Sequence, residues 1–235
     1  NYLSSFFGDS MHLLIPAAGV GKRMGADGNK LLLPLLDYPI VGWTLRAAAA
    51  STVKWIGIIC KAVDEPALKE VVSQLDIAQP LVFIRGGETR QASVENGLQA
   101  LPPDARRVLI HDGARCLATP TLLDRCAAAF DHGDGFIAAV PVKDTIKQVN
   151  SAGLIEATPD RAQLWAAQTP QGFDVTLLKE AHQKGRSQGW EVTDDAALFE
   201  KCGLAVNIVE GEETNLKVTT PVDLAIAEFI LRQRL

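Results

Sequence analysis

An apolar strand runs directly into a loop of small residues in the segment Leu13-Leu14-Ile15-Pro16-Ala17-Ala18-Gly19-Val20-Gly21-Lys22-Arg23-Met24-Gly25. Gly19 and Gly21 leave backbone N–H groups open to the close approach of phosphate oxygens. Lys22 and Arg23 add positive charge beside them, and Lys30 follows a few residues later. A strand that stops at an uncovered, cationic loop predicts a site for a polyphosphate.

Short apolar runs rich in β-branched residues recur along the chain and alternate with segments of helical periodicity. The runs are His12–Ile15, Ile56–Cys60, Leu81–Ile84, Val108–Ile110, Phe136–Val140 and Ala205–Val209; the helical segments are Val41–Ala50, Glu65–Leu75, Arg90–Leu101, Pro120–Phe130 and Asp194–Lys201. Strands that are apolar on both faces and separated by helices predict a mainly parallel sheet with helices on both faces. Ligands of such sheets bind beyond the carboxyl ends of the strands.

One segment departs from this alternation. Residues 144–149, a turn at Asn150-Ser-Ala-Gly153 and residues 154–157 have the pattern of a β-hairpin. Because an isolated hairpin is marginally stable in water, we expect this arm, at about 143–166, to pack against a second subunit. We treat 1–10 as an N-terminal extension and 11–235 as a single domain.

Composition excludes several classes of protein. The 235 residues are 47% hydrophobic and 22% charged, which is typical of a folded globular domain. A net charge of −5 argues against a general nucleic-acid binder and suits a small anionic ligand at local cation clusters. No apolar run reaches the ~18 residues of a membrane span. The four cysteines have no metal-site spacing, and we expect reduced thiols in a cytosolic protein.

The first loop has more than one interpretation. The spacing Gly19-x-Gly21-x-x-x-Gly25 also resembles a dinucleotide fingerprint, which would indicate a nicotinamide-dependent dehydrogenase. A dinucleotide loop continues into a helix, whereas Asp27-Gly28-Asn29 and Pro34 disfavour one here. The cations also exceed what a diphosphate requires. A glycine turn with solvated basic residues is the third interpretation.

Two more loops after strands carry residues suited to a nucleotide. In Gly86-Gly87-Glu88-Thr89-Arg90-Gln91-Ala92-Ser93, glycine amides and the Ser93 hydroxyl can bond a ligand, although such turns are commonly structural. In His111-Asp112-Gly113-Ala114-Arg115, Asp112 is a natural Mg²⁺ ligand and Arg115 can hold a second phosphate. A helix-capping Asp112 is the alternative.

Seven ordered motifs together resemble one family. They are Pro16-Ala-Ala-Gly-x-Gly-x-Arg-Met, Gly86-Gly-x-x-Arg-x-x-Ser, His111-Asp-x-Ala-Arg, Asp144-Thr-Ile-Lys, Arg161-x-x-Leu-Trp-x-x-Gln-Thr-Pro-Gln, Glu191-Val-Thr-Asp-Asp and Asn215-x-Lys. The chain from Met11 onward is similar to the 2-C-methyl-D-erythritol 4-phosphate cytidylyltransferases of non-mevalonate isoprenoid synthesis. The resemblance implies a Rossmann-like nucleotidyltransferase fold, Mg²⁺ dependence, the substrates CTP and methylerythritol phosphate, and a homodimer joined by the β-arm.

The resemblance also implies roles for individual residues. Arg23, Lys30 and Lys217 would be catalytic, and Asp112 would bind Mg²⁺. The nucleotide would contact Pro16, Ala17, Ala18, Gly19, Gly21, Gly87, Glu88 and Ser93. The sugar phosphate would contact Arg115, Thr145, Arg161, Thr169, Thr193 and Asp194, with Thr145, Arg161 and Thr169 coming from the arm of the partner.

The chain differs from the commoner pattern of this family near the site. Gly113 and Cys116 stand where Ala and Pro are usual, and Asn29 and Leu31 flank Lys30 where Pro and Gln are frequent. These changes affect the loops more than their charge. Two further functions stay open, a cytidylyltransferase for another polyol phosphate such as ribitol 5-phosphate, and a non-catalytic nucleotide-binding module. The expected location is the cytoplasm, or the plastid stroma of a photosynthetic eukaryote.

Overall fold

A seven-stranded sheet forms the centre of the molecule in a computed structural model that describes residues 10–19 and 28–235. The strands are β1 (His12–Pro16), β2 (Pro34–Leu35), β3 (Tyr38–Pro39), β4 (Trp55–Cys60), β5 (Leu81–Arg85), β6 (Arg107–Ile110), β7 (Gly135–Pro141), β8 (Gln148–Val149), β9 (Ile155–Ala157), β10 (Trp165–Asp174) and β11 (Asn207–Glu210). The sheet order is β11-β7-β10-β6-β1-β4-β5. Only β10 runs antiparallel to its neighbours within this sheet of described residues.

Helices cover both faces of this sheet, as the sequence predicts. They are α1 (Ile40–Ala49), α2 (Glu65–Ser73), α3 (Arg90–Ala100), α4 (Pro120–Ala128), α5 (Val175–Ser187), α6 (Ala196–Lys201) and α7 (Pro221–Arg234). Leu13 and Ile15 of β1 face a core built with α1, α2, α4 and α7. Leu14 between them faces a second core built with α3, α5 and α6. The alternation of side chains along a strand therefore produces two cores, one on each face.

The predicted strands and helices are present, with ends that differ by a few residues. The expectation of strands buried on both faces holds at the centre of the sheet and is wrong at its edges, where Val82 of β5 and Ile208 of β11 are exposed. The pattern did not predict β10 or α5. Pro170 lies inside β10, where pairing with β7 is interrupted between Ala167 and Gln171, and proline in a sequence argues against a central strand.

Helices α2, α4 and α7 each carry a proline in their first turn, and a side chain caps two of the three. Thr119 accepts a hydrogen bond from the N–H of Leu122, and Thr220 forms a reciprocal capping box with Asp223. Asp64 makes no cap bond at the start of α2. Its carboxylate instead accepts a bond of 3.0 Å from the amide of Asn29, close to the predicted phosphate loop.

The hairpin predicted at 144–157 is present as β8 and β9, which pair with each other in a separate two-stranded sheet. Val149, Leu154 and Ile155 on this arm are 52%, 66% and 63% exposed. Apolar side chains at such exposure mark a surface that a single chain does not cover. All four cysteines are free thiols, and no described helix is long and apolar enough to cross a membrane.

Candidate active site

A pocket of about 240 Å³ opens at the carboxyl edge of the sheet, where the loops after β1 and β6 meet. Its walls are Pro16, Ala18, Gly19, Lys30, Leu31, Arg90, Ser93, Asp112, Gly113, Ala114 and Lys217. Most were predicted as site residues from motifs far apart in the chain. The parallel pairing of β1 with β6 brings them to one edge because both strands end there.

Lys30 is held in place by its neighbour Asn29. The Asn29 amide donates to the carbonyl of Ala17 at 2.7 Å, and its side-chain oxygen accepts from the N–H of Leu31 at 3.0 Å. This caps the short 3-10 turn Lys30–Leu32 and ties it to the loop after β1. Ala17 is buried, and its carbonyl accepts the bond from Asn29. Although Ala17 is predicted to contact the nucleotide, it does not line the pocket.

Two of the departures from the family pattern lie against each other. A Cβ atom added at Gly113 would come within 2.9 Å of the Cδ1 atom of Leu31. A leucine at 31 therefore fits beside a glycine at 113, and both line the pocket. The loop shape is adjusted here without any change of charge.

Asp112 and Lys217 form an ion pair at the pocket wall. The Lys217 ammonium lies 2.7 Å from one Asp112 oxygen, and the Arg90 guanidinium lies 3.9 Å from the other. Burial acts to raise the pKa of Asp112, but Lys217 and Arg90 outweigh burial and hold that pKa below its ordinary value. Asp112 is therefore an ionised carboxylate at neutral pH.

Lys30 and Lys217 are held by adjoining pieces of chain. The Lys30 ammonium donates to the carbonyl of Val218 at 2.7 Å, so the two lysines converge on the same segment before α7. Asn215 fixes that segment from beneath, with its amide donating to the carbonyl of Thr169 at 2.8 Å and to the Gln168 side chain at 3.1 Å. The cations are thus positioned by buried amides that sequence reasoning assigned no role.

A buried hydrogen-bond chain orients the loop that carries Asp112. The Asp112 N–H donates to the Thr169 hydroxyl at 3.0 Å, and that hydroxyl lies 2.9 Å from Nδ1 of His111. Nε2 of His111 faces the carbonyl of Arg115 at 3.3 Å. Burial lowers the pKa of His111 to about 4, so the ring is neutral and can accept at Nδ1 while donating at Nε2.

This chain of bonds corrects the predicted place of Thr169. Thr169 was expected to reach the sugar phosphate from the arm of a partner. It lies instead in central strand β10, 5% exposed, and supports Asp112 of its own chain. Nδ1 of His111 holds the Thr169 hydroxyl in this position.

Arg115, predicted to hold a phosphate, is turned towards backbone carbonyls. Its guanidinium donates to the carbonyl of Asn215 at 2.7 Å and to that of Ala167 at 3.4 Å. Burial lowers the pKa of Arg115 relative to an exposed arginine. The side chain braces β10 against the segment that carries Lys217.

The predicted nucleotide-binding loop at 86–93 is closed by contacts between its own residues. The Ser93 hydroxyl accepts from the N–H of Gly87 at 3.0 Å and approaches the Gly87 carbonyl at 3.4 Å. Ser93 lines the pocket, whereas Gly87 and Glu88 lie in the loop beside it. The Thr89 side chain caps α3, which fixes where this loop ends.

The predicted sugar-phosphate residues are dispersed. Arg161 lies on the exposed arm and donates to the carbonyl of Lys143, and Thr145 is exposed on the same arm. Thr193 is exposed near α6. Asp194 accepts hydrogen bonds from the N–H of Ala197 in the first turn of α6, at 3.1 Å, and from the Gln171 amide, at 2.9 Å. None of these lines the pocket that the described residues form.

Gly21 and Arg23, predicted to hold the triphosphate, lie outside the described residues. Conversely, Arg90 lines the pocket although it was assigned no role. Its place in the Gly86-Gly-x-x-Arg motif was the available signal. At the first position of α3 it points its guanidinium at two carboxylates, those of Asp195 and Asp112.

The donor set at Asp112 fits a Mg²⁺ ion that arrives with a polyphosphate. Among the described residues, no group of three or more His, Cys, Asp or Glu side chains could hold a metal unaided. One ionised carboxylate facing a pocket lined by lysines suits Mg²⁺, which takes one or two carboxylates and completes its shell with phosphate oxygens and water.

Comparisons with known proteins agree with the residue-level resemblance. The sequence profile of the family described as IspD, 2-C-methyl-D-erythritol 4-phosphate cytidylyltransferase, matches residues 11–233. A protein of that name from a Nostoc species is 68% identical over 225 residues, covering 95% of this chain and 99% of the relative. Its counterpart from a Synechocystis species is 64% identical, with 95% and 98% covered.

Solved structures show the same fold. The crystal structure of 4-diphosphocytidyl-2C-methyl-D-erythritol synthase from Anaerococcus prevotii superposes with a TM-score of 0.85 at 29% identity, covering 95% of this chain and 99% of that one. The 2-C-methyl-D-erythritol 4-phosphate cytidylyltransferase from Thermus thermophilus gives a TM-score of 0.78 at 33% identity, with the same coverage. The expected Rossmann-like nucleotidyltransferase fold is confirmed.

Proposed function

Because the chain belongs to the 2-C-methyl-D-erythritol 4-phosphate cytidylyltransferase family, we propose that it transfers the cytidylyl group of CTP to 2-C-methyl-D-erythritol 4-phosphate. The products are 4-(cytidine 5′-diphospho)-2-C-methyl-D-erythritol and pyrophosphate, in non-mevalonate isoprenoid synthesis. The observation that carries this proposal is that Lys30, Lys217, Arg90 and Asp112 line one pocket at the carboxyl edge of the sheet, where Lys217 and Arg90 pair with Asp112.

The bond changes define what the site must do. An oxygen of the acceptor phosphate attacks the α-phosphorus of CTP, a new P–O bond forms, and the bond to the β-phosphate oxygen breaks. The second pKa of a phosphate monoester is about 6, so the nucleophile is ionised near neutrality and needs no general base. Catalysis consists of bringing two anions together and of offsetting the charge on the reacting phosphorus.

Lys30 and Lys217 supply fixed positive charge for that purpose. Each is held by short bonds, Lys30 on the Val218 carbonyl and Lys217 on Asp112. Preorganised cations stabilise a transition state without reorganising during the reaction. Arg23 would add a third cation to this pair.

Asp112 is the residue that would hold Mg²⁺, and the ion would supply charge neutralisation on the triphosphate. The carboxylate is ionised, buried at its base and open to the pocket, which supports this assignment. Its loop is kept in place by the hydroxyl of Thr169. The contribution of the chain is thus a rigid, charged ligand at a fixed position.

A homodimer would complete the acceptor side of the site. Thr145 and Arg161 lie on an arm that presents exposed apolar side chains and that does not reach the pocket of its own chain. An arm of this kind can bury its apolar residues against a second copy and carry Thr145 and Arg161 to the partner's pocket.

The cyanobacterial relatives support a location in the cytoplasm or, in a photosynthetic eukaryote, the plastid stroma.

Pyrophosphate release tests the function directly. The purified protein, CTP and Mg²⁺ are incubated with methylerythritol phosphate or, in parallel, with ribitol 5-phosphate. We expect rapid release with the first acceptor and a much lower rate with the second. Release that is absent with methylerythritol phosphate, or faster with ribitol 5-phosphate, would contradict the proposal.

A further inference from the structure

Arg90 links the predicted nucleotide-binding loop to the segment that carries the predicted acceptor residues Thr193 and Asp194. One nitrogen of its guanidinium lies 2.8 Å from Asp195, and another lies 3.9 Å from Asp112. Arg90 itself begins α3, directly after the loop that contains Gly87 and Glu88. The side chain therefore joins three separate segments at the pocket wall, namely 86–90, Asp112 and the start of α6.

Asp195 holds this guanidinium from a buried position. Its side chain is 1% exposed, and its second oxygen lies 3.1 Å from Nε2 of His182, a ring that is equally buried in α5. Because its two oxygens contact Arg90 and His182, the Asp195 carboxylate is fixed in position. The planar guanidinium bound to it is consequently held in one orientation, which a lysine ammonium would not be.

We propose that Arg90, anchored by Asp195, is a positioning residue that sets the Asp112 carboxylate and couples the acceptor-side segment 193–195 to the nucleotide loop. This inference rests on the proposed function and deepens it. Arg90 faces one Asp112 oxygen while Lys217 binds the other. Because each Asp112 oxygen faces a different cation, the carboxylate is held in one orientation at the pocket wall.

Arg90→Gln and Arg90→Lys test the proposal, and Arg186→Gln is the matched control. Arg186 and Glu95 form another arginine–carboxylate pair, which joins α5 to α3 at the surface and away from the pocket. Arg90→Gln leaves the buried Asp195 carboxylate without its arginine partner, which can prevent folding. The double variant Arg90→Gln/Asp195→Asn removes both charges together, so the test can still be made if the single variant does not fold.

The measurements are kcat with CTP and methylerythritol phosphate, the thermal unfolding midpoint, and calorimetric binding of a non-reacting CTP analogue without added metal. We expect kcat to fall about 10²-fold in Arg90→Gln and in the double variant. The Kd for the analogue should stay within about threefold of wild type, since the pocket residues Pro16, Ala18 and Gly19 are not held by Arg90. Arg90→Lys should recover the unfolding midpoint but not kcat, because an ammonium cannot span both carboxylates.

Three results would overturn the inference. The first is a kcat within about threefold of wild type in the double variant. The second is full recovery of kcat in Arg90→Lys, and the third is a loss of analogue binding as large as the loss of kcat. Turnover by wild type and by Arg186→Gln establishes the proposed function independently, so the failure of the two proposals can be told apart.

Discussion

The proposed chemistry depends on individual charges at the pocket wall. Lys30 and Lys217 provide the most direct test of it. Replacing Lys30 or Lys217 with Ala should lower kcat about 10²- to 10³-fold, because each removes a preorganised charge next to the reacting phosphates. Steady-state kinetics measure the loss, and circular dichroism checks that the fold is kept.

Lys54→Ala is the control for both lysines. Lys54 is exposed at the amino end of β4, whereas the pocket lies beyond the carboxyl ends of the strands. It should keep wild-type turnover. Near-normal turnover in the Lys30 and Lys217 variants would contradict the catalytic roles assigned to them.

His111 should make the stability of the protein depend on pH. Its pKa is about 4 when folded, against 6.5 for an ordinary histidine. Between these values the unfolded chain binds a proton that the folded chain does not. The free energy of unfolding should therefore fall as pH decreases from about 6.5 to 4, by about 3 kcal/mol in total. Urea unfolding at a series of pH values measures this slope.

His111→Asn separates this residue from the other titrating groups. The variant keeps a polar side chain beside Thr169 but has no proton to bind, so its stability should change less over the same pH window. His12, whose pKa is also lowered by burial, is present in both proteins and cancels in the comparison. Equal slopes for variant and wild type would show that His111 is not the group involved.

At the scale of elements, the contact between β7 and β10 depends on a glycine. A Cβ atom at Gly172 would lie 2.0 Å from Cζ of Phe136, a ring that is buried in the core. Gly172→Ala should destabilise the protein by about 3 kcal/mol or prevent folding, since a packed aromatic ring cannot move aside. Thermal or urea unfolding measures the change.

Phe136→Leu supplies the comparison for Gly172→Ala. On its own the smaller side chain should destabilise by leaving a cavity. Combined with Gly172→Ala it should cost less than the sum of the two single variants, because the methyl group occupies the space vacated by the ring. Strict additivity would mean that the two positions do not compete for this volume.

At the scale of the whole molecule, the exposed arm should control assembly. Ile155→Asp and Leu154→Asp place a charge on the apolar surface that we expect to lie between two subunits. Both should shift the protein from dimer to monomer in analytical ultracentrifugation, because an unpaired charge is costly to bury. Turnover should fall as well, since Thr145 and Arg161 would no longer reach a partner's pocket.

Val63→Asp is the control for the arm, because Val63 is 80% exposed and lies on the loop after β4, outside the arm. It should leave the oligomeric state unchanged. A wild-type protein that sediments as a monomer, or arm variants that stay dimeric, would contradict the proposed assembly.

Local sequence pattern was sufficient for most of the fold. The apolar runs His12–Ile15 and Val108–Ile110 are buried strands at the centre of the sheet, because their side chains leave water only where helices cover both faces. The pattern was insufficient for β10, whose Gln168, Thr169 and Gln171 are buried. The Thr169 carbonyl is bonded by Asn215 and the Gln171 amide nitrogen by Asp194, partners that lie 46 and 23 residues away in the chain.

The amino-acid sequence alone determined the parallel sheet, the hairpin arm, and the loops in which Lys30, Asp112 and Lys217 lie, because strand periodicity and loop chemistry are local properties. Only the tertiary structure decided that Arg90 stands between Asp195 and Asp112, that Thr169 supports Asp112 from a central strand, and that Arg115 braces a backbone. Those roles arise from contacts between segments that are distant in the chain. No local pattern specifies such contacts, since they exist only once the sheet has brought its loops to one edge.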